Sequence, residues 1–164
     1  HLREFGGKSL VSAASSEVEL SDDASVESTG EPLAEEAMTA LCEFLSAELG
    51  DRIEKVGSGK RLVSSPAAVL APAHGMSAQM RQMLQAMNPG EPLPAQKVEL
   101  ELNPRHGLVH ALAAASEGNP ELAKLAAAQL LDNALLAAGL LEDRVSLIER
   151  GFLLMEAALK KSAE

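Results

Sequence analysis

Cysteine and histidine are the residues of this chain best suited to nucleophilic catalysis. Cys42 is the only cysteine, and no histidine lies close to it in the sequence. A nucleophilic thiol needs a base beside it, so we interpret Cys42 as a small structural residue on an amphipathic helix. Histidines that are distant in sequence could still approach it in the fold.

Two histidines, His106 and His110, stand four residues apart, which places them on one face of a helix. Zinc sites use this spacing, but the zincin motif has a glutamate after its first histidine, where this chain has Gly107. We therefore expect no metal site, and we interpret the pair as surface or helix-capping residues.

Residues 57–61, Gly-Ser-Gly-Lys-Arg, superficially resemble a phosphate-binding loop. They lack the spacing of a P-loop, and no helix is predicted directly after them, so a hairpin turn is the favoured interpretation. The sequence thus predicts no catalytic site.

Composition restricts the function further. The chain has 164 residues, a net charge of -10, 46% hydrophobic residues and neither Trp nor Tyr, which favours a helical domain. A nucleic-acid site needs clustered Lys and Arg, and the fourteen basic residues here are scattered. No apolar run is long enough to span a membrane. A single cysteine suits the reducing cytoplasm. We therefore expect a cytoplasmic protein that binds neither nucleic acid nor membrane.

The elements that must position any site follow an α+β order. After residue 31 the patterns predict a helix, two strands, a helix, a strand and three helices. The predicted helices are 32–50, 76–87, 105–116, 120–138 and 142–160, and the predicted strands are 52–56, 62–70 and 96–102. We expect the first two strands to form a hairpin, with Pro66 marking an edge or an interruption. The fold class is therefore a small three-stranded sheet with flanking helices and a helical C-terminal half.

Residues 1–30 differ from the rest. The first ten carry apolar residues without enough chain to cover them, as expected for the end of a preceding domain. Residues 12–30 are mostly Ser, Ala, Asp and Glu, and such a composition buries too little apolar surface to offset the entropy of ordering. We predict that they form an acidic flexible linker.

The last predicted helix has more apolar surface than one neighbour can cover. Its apolar residues form two adjacent stripes that together span about half of the helix circumference. The preceding helix is apolar nearly all round. A single large core could take both helices, but we favour an intermolecular four-helix bundle with two helices from each chain. The predicted dimer-interface residues are Leu131, Leu135, Val145, Ile148, Phe152, Met155 and Leu159.

A methionine stripe marks the helix predicted at 76–87. Met76, Met80, Met83 and Met87 recur at a 4-3-4 spacing, with Leu84 beside them. Methionine is unbranched and polarizable, so such a stripe can pack against apolar surfaces of many shapes. A stripe at helical spacing can also be simple core. The Pro- and Gly-containing loops on both sides favour exposure.

Several segments occur in the order that is typical of the C-terminal domain of the bacterial ninety-kilodalton heat-shock chaperone family, which this chain resembles. They are Arg-Leu-Val-Ser-Ser-Pro-Ala at 61–67, Met-Ser-Ala-Gln-Met at 76–80, Leu-Glu-Leu-Asn-Pro-Arg-His at 100–106, Leu-Leu-Asp-Asn-Ala-Leu-Leu-Ala at 130–137 and Leu-Glu-Asp at 141–143 with Arg150. Phe-Gly-Gly-Lys at 5–8 resembles the end of that family's middle domain.

The resemblance implies a C-terminal dimerisation domain at 31–164 that follows the tail of a middle domain and a linker at 1–30. It implies a homodimer formed by the last two helices, and a Met-rich helix that contacts partly unfolded client proteins. ATP and Mg²⁺ would bind an N-terminal domain outside this chain, so we expect no enzyme activity and no cofactor here. The alternative is an adaptor that docks one fixed protein partner through the Met-rich helix.

Overall fold

A computed structural model describes residues 30–59, 62–70, 78–88 and 97–161, together with the backbone of residues 4–5 and 8–9. The strands are β1 (Glu4–Phe5), β2 (Lys8–Ser9), β3 (Ile53–Ser58), β4 (Ala67–Leu70) and β5 (Val98–Leu102); the helices are α1 (Glu35–Leu49), α2 (Ala78–Met87), α3 (Gly107–Gly118), α4 (Pro120–Ala137) and α5 (Arg144–Lys161). The order of elements predicted after residue 31 is confirmed. The linker predicted at 12–30 lies outside the described residues, apart from Gly30.

The sheet contradicts the predicted hairpin between the first two long strands. β5 lies between them, parallel to β3 and antiparallel to β4. Gly59 donates its N–H to the carbonyl of Leu102 at 2.7 Å, and a Cβ at this position would collide with the side chain of Glu101. The glycine therefore permits a close approach to the central strand. The prediction for Pro66 is confirmed, because β4 begins directly after it and forms an edge of the sheet.

The chain between β3 and β4 is held at the end of β5 by Asn103, which is 2% exposed. Its Nδ2 donates to the carbonyls of Val63 and Ser65, each at 3.2 Å. Its Oδ1 accepts the N–H of Arg105 at 3.0 Å, and its own N–H donates to the carbonyl of Pro66 at 2.9 Å. A buried amide that uses both its donors and its acceptor fixes the path of the chain around it.

The core lies between the sheet and the helices α1, α3 and α4. Alternate residues of β5 are buried, which confirms the strand that the alternation of apolar and charged residues predicted. The hydrophobic residues buried in this core are Met38, Leu41, Leu45, Leu49, Ile53, Ala67, Val98, Leu100, Leu102, Val109, Leu112, Ala123, Ala127, Leu130, Leu131 and Ala134. None of the buried core residues comes from α5.

Side chains cap the helices of the C-terminal half. Asn119 Oδ1 accepts the N–H of Leu122 at 3.2 Å, and Pro120 takes the first position of α4, where its missing N–H costs nothing. Asp143 Oδ1 accepts the N–H groups of Val145 and Ser146 at 3.1 and 3.0 Å. α5 therefore begins two residues after the predicted start at residue 142.

Candidate protein-binding surfaces

α5 carries a continuous apolar surface that the other described elements leave exposed. Five residues at a 3-4-3-4 spacing, which follows one helix face, are each more than half exposed: Val145 (65%), Ile148 (54%), Phe152 (62%), Met155 (54%) and Leu159 (72%). One large core that takes both C-terminal helices is thus not what the structure shows. Contiguous exposed apolar surface of this kind marks an interaction site.

The opposite side of α5 faces α4, the helix against which it packs most extensively. The half-buried residues of α5 include Leu147, Arg150 and Leu154. At 100° per residue these three positions lie on the side of the helix that is turned away from Phe152. The apolar stripe that contains Leu147 and Leu154 is therefore used within the chain, and the stripe that contains Phe152 is left for a partner.

The structure places the two predicted interface residues of α4 differently from those of α5. Leu131 is fully buried in the core of its own chain, with an exposed fraction of 0%. Leu131 therefore packs within its own chain, and its contact with a second chain stays a prediction. Leu135 is half-buried at the edge of the core, while its neighbour Leu136 is 48% exposed.

α2 presents the methionine stripe to solvent. Met80, Met83 and Met87 are 57%, 67% and 70% exposed, whereas Leu84 is half-buried. Met76 lies outside the described residues. Within the described part of the chain, α2 has no extensive contact with another helix or strand. The three described methionines are therefore not core residues.

A buried ion-pair network beside α5 was not predicted from the sequence. Asp132 is 2% exposed within α4. Its Oδ1 accepts a hydrogen bond from the Arg52 guanidinium, and its Oδ2 accepts one from Arg150 Nη1 at 2.6 Å. A buried carboxylate needs such partners, since burial of an unpaired charge is costly. The available signal in the sequence was one acidic residue in the middle of a helix that is otherwise rich in Leu and Ala.

A cleft of about 410 Å³ lies against this network. Leu135, Leu140 and Leu141 line its apolar side, and Asp143 and Ser146 lie at its polar side. The Ser146 hydroxyl donates to Asp143 Oδ2 at 2.5 Å. This hydrogen bond, helped by the backbone N–H of Ser146, lowers the pKa of Asp143. These polar groups thus fix the start of α5.

The residues that could have carried catalysis or bound metal take structural positions. Cys42 is half-buried against the core, and burial raises the pKa of its thiol, which disfavours the reactive thiolate. His106 caps α3 by accepting the N–H of Leu108 on Nδ1 at 3.0 Å, so its predicted capping role is confirmed. His110 Nε2 donates to the carbonyl of Pro104 at 2.9 Å.

The described residues form neither a candidate metal site nor a candidate membrane span. No group of three or more His, Cys, Asp or Glu side chains in that part of the chain is arranged to hold a metal ion. No helix in the described ranges is both long enough and apolar enough to cross a membrane.

Comparison with known proteins assigns the chain to a protein family. The family model for the Hsp90 protein matches residues 1–164. The chaperone protein HtpG of Desulfitobacterium hafniense is 35% identical over 160 residues, which cover 97% of this chain and 25% of that protein. HtpG of Chromobacterium violaceum is 40% identical over 153 residues, covering 91% and 23%. The mitochondrial TNF receptor-associated protein 1 homolog of Dictyostelium discoideum is 32% identical over 157 residues, covering 96% and 22%. The chain spans about a quarter of the length of these relatives, and it belongs to the Hsp90 family.

Proposed function

We propose that this chain contains the C-terminal dimerisation domain of an Hsp90-family chaperone, at residues 31–164. Family membership and the chaperone names of the HtpG relatives support this assignment. In this proposal ATP and Mg²⁺ bind a part of the parent protein outside this chain. The domain then joins two copies of the chaperone and catalyses no reaction itself. Its single cysteine supports a reducing cytoplasm as its location.

The exposed apolar face of α5 carries the proposal of a homodimer. It lies opposite the side that packs on α4, so a helix from another chain can cover it without disturbing the core. A second copy fits this face because a two-fold axis brings the same apolar stripe to both sides of the contact. Two helices from each chain, α4 and α5, then complete a four-helix bundle.

The oligomeric state of a charge-introducing variant tests the dimer. Phe152→Glu places a carboxylate at the centre of the stripe, where it must be paired, protonated or exposed. Size-exclusion chromatography with light scattering should give a dimer for the wild type and a monomer for Phe152→Glu. Leu108→Glu, at a residue of α3 that is 45% exposed, is the matched control and should remain dimeric. A Phe152→Glu variant with the mass of the wild type would refute the proposed interface.

We propose a second role for α2, as a contact surface for partly unfolded client proteins. Met80, Met83 and Met87 offer exposed apolar area without a fixed shape, and flexible methionine surfaces accept ligands of different shapes. An adaptor with one fixed partner would use the same surface, but it would select a single ligand.

Binding to several unrelated denatured proteins separates these two roles. Fluorescence anisotropy with three chemically denatured, labelled proteins should show binding of each to the wild type. Replacing Met83 and Met87 by Gln should weaken all three interactions, because Gln keeps the length and helix propensity but removes the apolar surface. Leu108→Gln on α3 is the control. If none of the denatured proteins binds the wild type, the client proposal fails and the adaptor remains.

A further inference from the structure

We propose that Asp132 is a positioning residue that fixes α5 on the body of the domain through Arg52 and Arg150. Its consequence for assembly is that Asp132 sets the orientation of the apolar face of α5. This second claim rests on the proposed homodimer. The claim that Asp132 holds α5 in place within its own chain is independent of the homodimer.

Apolar contacts with the rest of the described chain fix the position of α5 only weakly. None of its residues is buried, and the residues turned towards α4, such as Leu147 and Leu154, are only half-buried. Arg150 lies on this same side of the helix, with its side chain 17% exposed. The most enclosed polar contact of α5 is therefore the hydrogen bond from Arg150 to Asp132, at 2.6 Å.

Asp132 connects this contact to the sheet. Its other carboxylate oxygen accepts from the Arg52 side chain. The backbone of Arg52 is fixed on both sides, because its N–H donates to the carbonyl of Leu49 at 2.8 Å and its own carbonyl accepts the N–H of Val98 at 3.3 Å. The network thus joins the junction of α1, β3 and β5 to α4 and then to α5.

The hydrogen bonds between Asp132 and the two arginines are of a kind that fixes the position of a helix. Charge-assisted hydrogen bonds from guanidinium groups are directional, so they define the rotation and the height of a helix more narrowly than apolar contact does. Buried ion pairs often add little net stability compared with well-packed apolar residues, and fixing a register is their best attested use. Arg150→Gln leaves the Asp132 carboxylate with Arg52 as its remaining partner, so α5 loses its directional contact while the buried charge stays paired.

An intrachain distance measurement tests the proposal. In a Cys42→Ser background, spin labels at Ala40→Cys on α1 and Lys161→Cys on α5 report the distance between these helices. The labelled chain is mixed with an excess of unlabelled chain, so that each assembly contains a single labelled copy. Arg150→Gln is the test variant, and Arg144→Gln, an exposed residue of the same helix, is the control.

We expect Arg150→Gln to broaden or shift the distance distribution, and Arg144→Gln to leave it as in the wild type. Arg150→Lys keeps the charge and should restore part of the order. The dimer dissociation constant of Arg150→Gln should rise about tenfold or more, whereas that of Arg144→Gln should equal the wild-type value.

An unchanged distance distribution in Arg150→Gln would overturn the proposal. If Arg150→Gln does not fold, the same distance measurement is made on Arg52→Gln, at a side chain that is 42% exposed. An unchanged distribution in that variant would likewise overturn the proposal. A wild type that stays monomeric would refute the proposed dimer and the link to assembly, whereas the distances would still decide whether Asp132 positions α5.

Discussion

Truncation of Phe152 gives a quantitative test of the interface. Phe152 is 62% exposed in the single chain and lies in the middle of the stripe from Val145 to Leu159. Phe152→Ala removes apolar surface without introducing a charge, so its effect measures how much of this surface the partner covers.

The exposed fraction of Phe152 determines how much dimerisation free energy the variant should lose. Complete burial of a Phe side chain contributes about 1.5–3 kcal/mol, so covering the exposed 62% contributes about 1–2 kcal/mol per chain. A symmetric dimer contains the residue twice, so Phe152→Ala should weaken the free energy of dimerisation by about 2–4 kcal/mol. At about 1.4 kcal/mol per tenfold change, the dissociation constant should rise roughly thirtyfold to seven-hundredfold.

Sedimentation velocity over a dilution series measures this change. The melting midpoint of dilute, monomeric Phe152→Ala should stay close to that of the wild type, because the chain itself covers only a minor part of the ring. Leu108→Ala on α3 is the control for general loss of apolar surface, and it should leave the dissociation constant unchanged. A dissociation constant for Phe152→Ala equal to that of the wild type would show that this face of α5 is not the interface.

Three further predictions concern single features of the fold. Replacing Met83 and Met87 by Gln should shift the thermal midpoint by no more than a few degrees, because both side chains are mainly exposed; a large drop would mean that they are packed in a core. Asn103→Ala should lower the free energy of unfolding in urea by about 2–4 kcal/mol, since it loses three side-chain hydrogen bonds of about 1 kcal/mol each; no loss would contradict its role at the end of β5. The lowered pKa of Asp143 means that its cap stabilises the fold fully at neutral pH and loses this effect as the pH falls below the ordinary Asp value. Asp143→Ala should therefore melt below the wild type at neutral pH, and the gap should close in acid; a gap independent of pH would exclude the charged cap.

Local signals predicted the helices and the central strand well. α4 begins at Pro120 as predicted, because Asn119 as the cap and Pro at the first position form a signal within two residues. β5 follows from the alternation of apolar and charged residues between Val98 and Leu102. The exposed stripe of α5 was also predictable, since its helix has more apolar surface than one neighbour covers.

Contacts between distant segments were not predictable from these patterns. The glycines after Val56 indicated a hairpin, but β3 pairs with β5, and their paired residues, such as Ile53 and Val98, are about 45 positions apart in the sequence. The ion pair of Asp132 with Arg52 spans 80 residues. The burial of Leu131 within its own chain was not predicted either, because a helix that is apolar nearly all round does not reveal which face its own chain buries.

Sedimentation equilibrium of the wild-type chain, from low to high micromolar concentration, tests the central claim most directly. We expect a reversible equilibrium between one species with the mass of the chain and one with twice that mass, with the larger species dominant at the highest concentration. A single species with the mass of one chain at every concentration would contradict it.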